Sequence, residues 1–286
     1  MRKEVVFLSG GLGNQMFQYA FYLARKMNQN SKVKCDIGLF KRNFAHNGYE
    51  LEKIFGIKSD TSFIDLLLLR LMYRSSFISS VFNMCGYSLI MDGKGTVDIP
   101  KTKIKKNVYW VGYWQTQKYF SHIESKIRTA FRFNEKLLSL ETKGWLKKIV
   151  ECNSVSIHIR RGDYVSPQNV GIFGNICTLE YYKKSISLVT RSVENPYFFV
   201  FSNDIEWVKQ NLDIPNVRYV NDNHGETSWQ DMFLMSKCKH NIIANSSFSW
   251  WGAWLNNNVG KTVICPSKFT NRGDSPDIYL AEWTKI

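Results

Sequence analysis

The feature that most constrains the fold is the alternation, through residues 151–286, of short apolar runs with longer amphipathic ones. Runs rich in β-branched and aromatic residues fall at Ser154–Ile159, Pro196–Phe201, Val217–Val220, Asn241–Ala244 and Thr262–Cys265. Between them, helical periodicity is expected at Leu179–Ser192, Ile205–Asn211, Thr227–Cys238 and Phe248–Leu255. Strands separated by helices predict a parallel sheet covered on both faces.

The first half begins the same way. A strand is expected at Glu4–Ser9, a turn at Gly10–Gly13, a helix at Asn14–Met27 and a second strand at Lys32–Ile37. Further on, Asn107–Trp114 reads as a strand and Asn134–Val150 as an amphipathic helix. Leu66–Tyr73 reads as helical, and KTKIKK (Lys101–Lys106) as a solvated basic connector. The prediction is an α/β chain of two Rossmann-like domains facing a cleft, residues 1–150 and 151–286, with the boundary near Val150–Asn153.

Composition narrows the classes. With 286 residues and 44% hydrophobic content the chain can bury a sizeable core. The run after Met1 is too short for a signal peptide, and no stretch is long and apolar enough to span a bilayer. Ser75–Met91 has no charge and reads as a buried or interfacial segment. The six cysteines form no Cys-x-x-Cys pair, so buried free thiols in a reducing cytoplasm are expected, with no zinc site. Residues 1–150 carry 25 Lys/Arg against 11 Asp/Glu, whereas residues 151–286 carry 13 of each. The net +14 therefore belongs to the first half, which fits either an anionic surface or substrate, or plain solubility. No nucleic-acid recognition motif accompanies it.

Four segments carry chemistry, and ligands of open α/β sheets bind beyond the carboxyl ends of strands. HIRRGDY (His158–Tyr164) follows one such strand. Its Arg160 and Arg161 offer forked, permanently charged donors that match phosphate oxygens, and Asp163 is placed to orient one of them. The alternative is a surface Arg–Asp pair. GGLGNQMFQYAF (Gly10–Phe21) puts glycines and two amides, Asn14 and Gln15, at a helix start, where free N–H groups favour anions. It is neither a Walker loop nor a dinucleotide fingerprint. FSND (Phe201–Asp204) can cap a helix, or Asp204 can accept from guanine. NSSFSWWGAWL (Asn245–Leu255) offers Ser246 and Ser247 as a phosphate seat, while Trp250, Trp251 and Trp254 read as core and Asp231 as support only. The sequence has no Asp-x-Asp, the usual metal clamp for a sugar diphosphate.

Together these segments resemble the bacterial α-1,2-fucosyltransferases, glycosyltransferase family 11. GGLGNQMFQYAF, HIRRGDY, FSND and NSSFSWWGAWL occur in the family's order, while about residues 40–106 carry little of the likeness. The resemblance implies a GT-B fold and inverting, metal-independent transfer from GDP-β-L-fucose, a co-substrate, to the 2-hydroxyl of a galactose-terminated oligosaccharide, with no cofactor. It implies surface polysaccharide synthesis (O-antigen or capsule) in the cytoplasm, peripheral at the inner membrane face, with a polyprenyl-diphosphate-linked acceptor as one form. It gives Arg160, Asn14 and Asp163 catalytic roles. Gly11, Gly13, Asn14, Gln15, His158, Arg160, Arg161, Asn203, Asp204, Ser246, Ser247 and Phe248 bind substrate, and none binds a metal. Asp163, held by its arginine neighbours, reads as an organiser of arginines rather than the base. Another nucleotide-sugar donor or linkage, or a non-catalytic nucleotide- or sugar-binding protein, are the alternatives.

Overall fold

The computed structural model describes residues 2–27, 31–38, 40, 46–60, 76–92, 107–273 and 277–286, with only the backbone of Arg2 and residues 76–79. It divides into two compact units, Met1–Phe133 and Asn134–Ile286. The predicted helix at Leu66–Tyr73 and the KTKIKK connector lie outside the described residues.

Among the described residues, the first unit holds four parallel strands: β1 (Arg2–Phe7), β2 (Ser31–Asp36), β3 (Tyr87–Met91) and β4 (Asn107–Val111). Their order is β2-β1-β4-β3. Helices α1 (Leu12–Lys26), α2 (Glu50–Phe55), α3 (Ser76–Met84) and α4 (Glu124–Ala130) accompany them. Helix α1 buries Met16, Phe17, Ala20 and Phe21, the i, i+4 spacing of one helical face. A carboxylate, Glu4, sits buried in β1 and is fully served. Arg25 grips it with two bonds of 2.8 and 2.9 Å, Ser31 Oγ donates at 2.7 Å and Trp110 Nε1 at 2.9 Å. Burial would raise this carboxyl, but those donors outweigh it and hold the pKa below its ordinary value. Within the described part of the uncharged stretch, Phe82, Tyr87 and Leu89 pack against Val5 and Tyr109, while Val81, Met84 and Met91 are exposed. Among the described residues no helix is long and apolar enough to cross a membrane.

The second unit holds six parallel strands: β5 (Asn153–Ile159), β6 (Pro196–Ser202), β7 (Val217–Val220), β8 (His240–Ile242), β9 (Val263–Cys265) and β10 (Thr284–Lys285). They run in the order β10-β9-β8-β5-β6-β7. The helices are α5 (Leu140–Val150), α6 (Val170–Phe173), α7 (Leu179–Ser192), α8 (Ile205–Asn211), α9 (Trp229–Lys237) and α10 (Ser247–Leu255). Val155 and Ile157 of β5, Phe198 and Val200 of β6, Ile242 of β8 and Ile264 of β9 pack against Tyr181, Ile186 and Val189 of α7. Trp250, Trp251 and Trp254 are at most 1% exposed, core residues as read from the sequence. Gly252 lets α10 approach α9, since a Cβ there would come within 2.9 Å of Met235 Cβ.

Three expectations change. The boundary falls after Phe133, not near Val150, so the helix ending at Val150 belongs to the second unit. Its start is fastened there: Ser139 N–H donates to Gln230 Oε1 at 2.8 Å and Thr142 Oγ1 to Asn223 Oδ1 at 3.1 Å. The expected single helix from Asn134 is a short 3-10 turn, Glu135–Leu137, followed by α5, because Ser139 Oγ caps the latter by accepting Thr142 N–H. All six cysteines are free, but Cys85 is exposed rather than buried. With the observed boundary the first unit still carries 21 Lys/Arg against 9 Asp/Glu.

Candidate active site

In the second sheet the chain reverses its direction of growth once, and ligands of such sheets bind beyond the carboxyl ends of the strands at that point. In the second unit this lies between β5 and β8. The segments leaving those strands are HIRRGDY and NSSF.

His158 is 6% exposed, its ring 5.8 Å from that of Phe248 and its Nδ1 without a hydrogen-bond partner. Burial, with Arg160 nearby, pushes its pKa down to about 3, so the imidazole is neutral. Arg160 donates through Nε at 2.9 Å and Nη2 at 2.8 Å to Asp163 Oδ1, which orients the guanidinium and leaves its other donors for a ligand. Arg161 lies 3.7 Å over the Trp207 ring and bonds Asp204 Oδ2 at 3.2 Å. Asp204 Oδ1 caps α8 by accepting Trp207 N–H at 3.2 Å. Asn203 Oδ1 accepts Arg161 N–H at 3.0 Å, and its Nδ2 fills the space a Cβ on Gly162 would need, 2.0 Å away. Any larger residue at 162 would have to displace the Asn203 amide from Arg161 N–H.

Two loops form one frame here. Tyr164 stacks on Phe173 at 4.8 Å, and its hydroxyl donates to the Asn245 carbonyl at 3.1 Å. The Asn245 amide donates to Phe173 O at 3.1 Å and Phe269 O at 3.0 Å, while its Oδ1 takes the Cys177 thiol at 3.4 Å. So the loop bearing Arg160 is tied to the start of α10. There Ser246 is buried as the cap, accepting Phe248 N–H at 3.3 Å, and Ser247 is the half-exposed hydroxyl.

In the first unit β1 and β4 are parallel neighbours at the middle of the sheet. The Gly10–Asn14 loop leaves β1, with Gly10 at φ +77° and no room for a Cβ, which would meet Asn14 Nδ2 at 2.8 Å. Gly11 is the extended N-cap of α1, and Gly13 is buried in its first turn. The Gln15 amide is wholly buried: it donates to Gly10 O at 2.9 Å and Gly48 O at 2.8 Å, and accepts Glu50 N–H at 3.0 Å. The Glu50 carboxylate accepts the Leu12 N–H, and burial raises its pKa. Asn14 Oδ1 accepts from Gln115 Nε2, which follows β4, at 2.9 Å.

The family model for glycosyl transferase family 11 matches residues 61–286. The chain belongs to this family. An Escherichia coli alpha-1,2-colitosyltransferase is 35% identical over 98% of this chain and 97% of its own. The E. coli O-antigen biosynthesis glycosyltransferase WbnK is 33% identical over 98% of this chain and 99% of its own. A solved mutant of Arabidopsis thaliana FUT1 with GDP is 13% identical, with a TM-score of 0.51 over 93% of this chain and 70% of that one. That likeness concerns the fold alone, a GT-B arrangement of Rossmann-like units.

In this family 11 glycosyltransferase, then, the sequence-predicted residues sort by what holds them. Arg160, Asp163, His158, Ser247 and Phe248 gather at the carboxyl ends of β5 and β8. Gln15 staples the first-unit loop, Asp204 caps α8 and pairs with Arg161, Arg161 stacks on Trp207 and Ser246 caps α10. The loop start does not offer a free anion seat, because Glu50 occupies the α1 N-terminus. Sequence reasoning missed Tyr164 and Asn245 as the tie between loops. Asp231 is half-buried on α9, its Oδ1 accepting from Asn223 Nδ2 at 2.8 Å. Burial pushes its pKa up to about 7.

Proposed function

We propose that this glycosyltransferase moves L-fucose from GDP-β-L-fucose to the 2-hydroxyl of a galactose-terminated glycan, with inversion and without a metal. The observation that carries the reading is the Arg160–Asp163 pair, tied through Tyr164 and Asn245 to the start of α10. As the bond from the sugar's anomeric carbon to the phosphate oxygen breaks, negative charge grows on the diphosphate. Arg160 and the α10 N–H groups meet that charge, while the acceptor oxygen forms the new bond on the opposite face and gives up its hydroxyl proton to solvent. Asp163 is engaged with Arg160 and serves as its positioner rather than as the base. With Asp204 engaged by Arg161 and α8, we assign the guanine N1–H and amino donors to Asp231, a half-buried carboxylate on α9 bonded to Asn223.

The 35% identical colitosyltransferase supports a second reading, GDP-colitose as donor, which differs by the absent 3-hydroxyl. Purified protein given GDP-fucose, GDP-colitose and UDP-sugars with galactose-terminated acceptors is expected to use a GDP donor and form an α-1,2 product, with or without EDTA. Use of UDP-sugars alone, or activity lost to EDTA and restored by Mn²⁺, would sink the reading.

The basic first unit further supports peripheral contact with an anionic membrane, where a polyprenyl-diphosphate-linked acceptor would lie. Sedimentation with anionic vesicles at low salt should exceed that with neutral ones and fall as salt rises; equal sedimentation would refute the contact.

A further inference from the structure

We propose that Tyr113, with Gln115 and Asn14, forms the platform on which the acceptor sugar ring rests. Strand β4 ends at Val111 because Gly112 turns to φ +155° and Trp114 to φ +54°. No side chain could replace Gly112's hydrogen: a Cβ there would stand 2.1 Å from Asp92 Cβ. The left-handed conformation disfavours a residue as bulky as tryptophan and persists only where the surroundings enforce it. Here Asp92 Oδ2 accepts Trp114 N–H at 2.8 Å, and Gln18 Nε2 donates to Gly112 O at 2.9 Å. The Trp114 ring stacks on Phe21 at 4.2 Å, nearly parallel.

The outcome is a fixed bend with Trp114 2% exposed and Tyr113 47% exposed. A large aromatic ring thus stands exposed just past the carboxyl end of β4, beside the neighbouring end of β1, the end of a parallel sheet at which ligands bind. Beside it Gln115 donates to Asn14 Oδ1, so this edge combines an aromatic face with side-chain amides. That combination suits a neutral sugar: the ring covers the C–H face, and amides meet hydroxyls. Galactose, with its axial 4-hydroxyl, presents an unbroken C–H face on the other side. An anionic ligand fits poorly, because the Asp92 and Glu50 carboxylates occupy N–H groups at the same edge.

The proposal rests on the reading that the acceptor is a galactoside, and binding is therefore measured apart from turnover. Saturation-transfer NMR of a galactoside with the GDP-loaded full chain is compared between wild type, Tyr113→Ala and Tyr113→Phe. The signal should be strong for wild type, lost in Tyr113→Ala and kept in Tyr113→Phe, with equal melting temperatures. In the transfer assay, Tyr113→Ala should raise acceptor KM about tenfold and leave donor KM as it was. Equal signals for wild type and Tyr113→Ala, or a parallel rise in donor KM, would overturn the platform. Galactoside binding that depends on Tyr113 without any fucosyl transfer would keep the platform and overturn the proposed donor.

Discussion

Arg160→Ala is expected to lower kcat/KM for the sugar donor by about two to three orders of magnitude, the usual loss when one preorganised donor to a developing charge is removed. The reason lies in how Arg160 is held. Its Nε and Nη2 are fixed on Asp163 Oδ1, so its remaining N–H groups are aimed before any ligand arrives. About a third of the side chain is exposed, so its removal should leave the melting temperature nearly unchanged. Arg160→Lys should recover only part of the activity, since an ammonium keeps the charge but cannot bond Asp163 and a phosphate in one plane. Steady-state kinetics with thermal unfolding of the same preparations checks this. Near-normal turnover in Arg160→Ala would remove the central assignment.

The second large effect concerns Asp231 and pH. GDP affinity should rise as the pH climbs toward about 7 and level off above it. In the free protein burial keeps this carboxyl protonated up to about pH 7. Guanine offers two donors, which favour the ionised form and lower the pKa in the complex. The complex then binds fewer protons than the free protein below pH 7, so affinity increases with pH there. Asp231→Asn should abolish the dependence, weaken GDP about 10- to 100-fold, and erase the preference for GDP over IDP, which lacks the 2-amino group. Titration calorimetry between pH 5 and about 8 measures all three. A flat profile in the wild type would exclude Asp231 as the guanine acceptor. Without ligand the same group acts on stability with the opposite sense. The unfolded carboxyl loses its proton near 3.8 and the folded one near 7, so stability falls as pH rises between those values.

Much of the fold was legible because burial in a parallel sheet demands continuous apolar runs. Helices α7 and α8 lie where periodicity placed them, and the six-stranded sheet contains all five predicted strands. The misreadings have a common cause. Gln15 looked like a ligand amide, but Gly48, 33 positions away, claims it. Asp204 looked like a base reader until Arg161 folded back over Trp207. Asn107–Trp114 read as one strand, although left-handed turns at Gly112 and Trp114 end it at Val111.

The sequence by itself determined the α/β class, the strand-end position of HIRRGDY and NSSF, the burial of the tryptophans in α10, and Asp163 as partner of an arginine. These follow from local spacing and from charge pairing three residues apart. Tertiary structure alone decided which sheet claims the helix ending at Val150, which polar groups are spent inside the protein, and which remain for a ligand. A hydrogen-bond donor or acceptor has few places to fill, and the chain brings distant competitors to them only when it folds. Arg160 keeps N–H donors to spare, whereas the Gln15 amide is fully claimed within the fold.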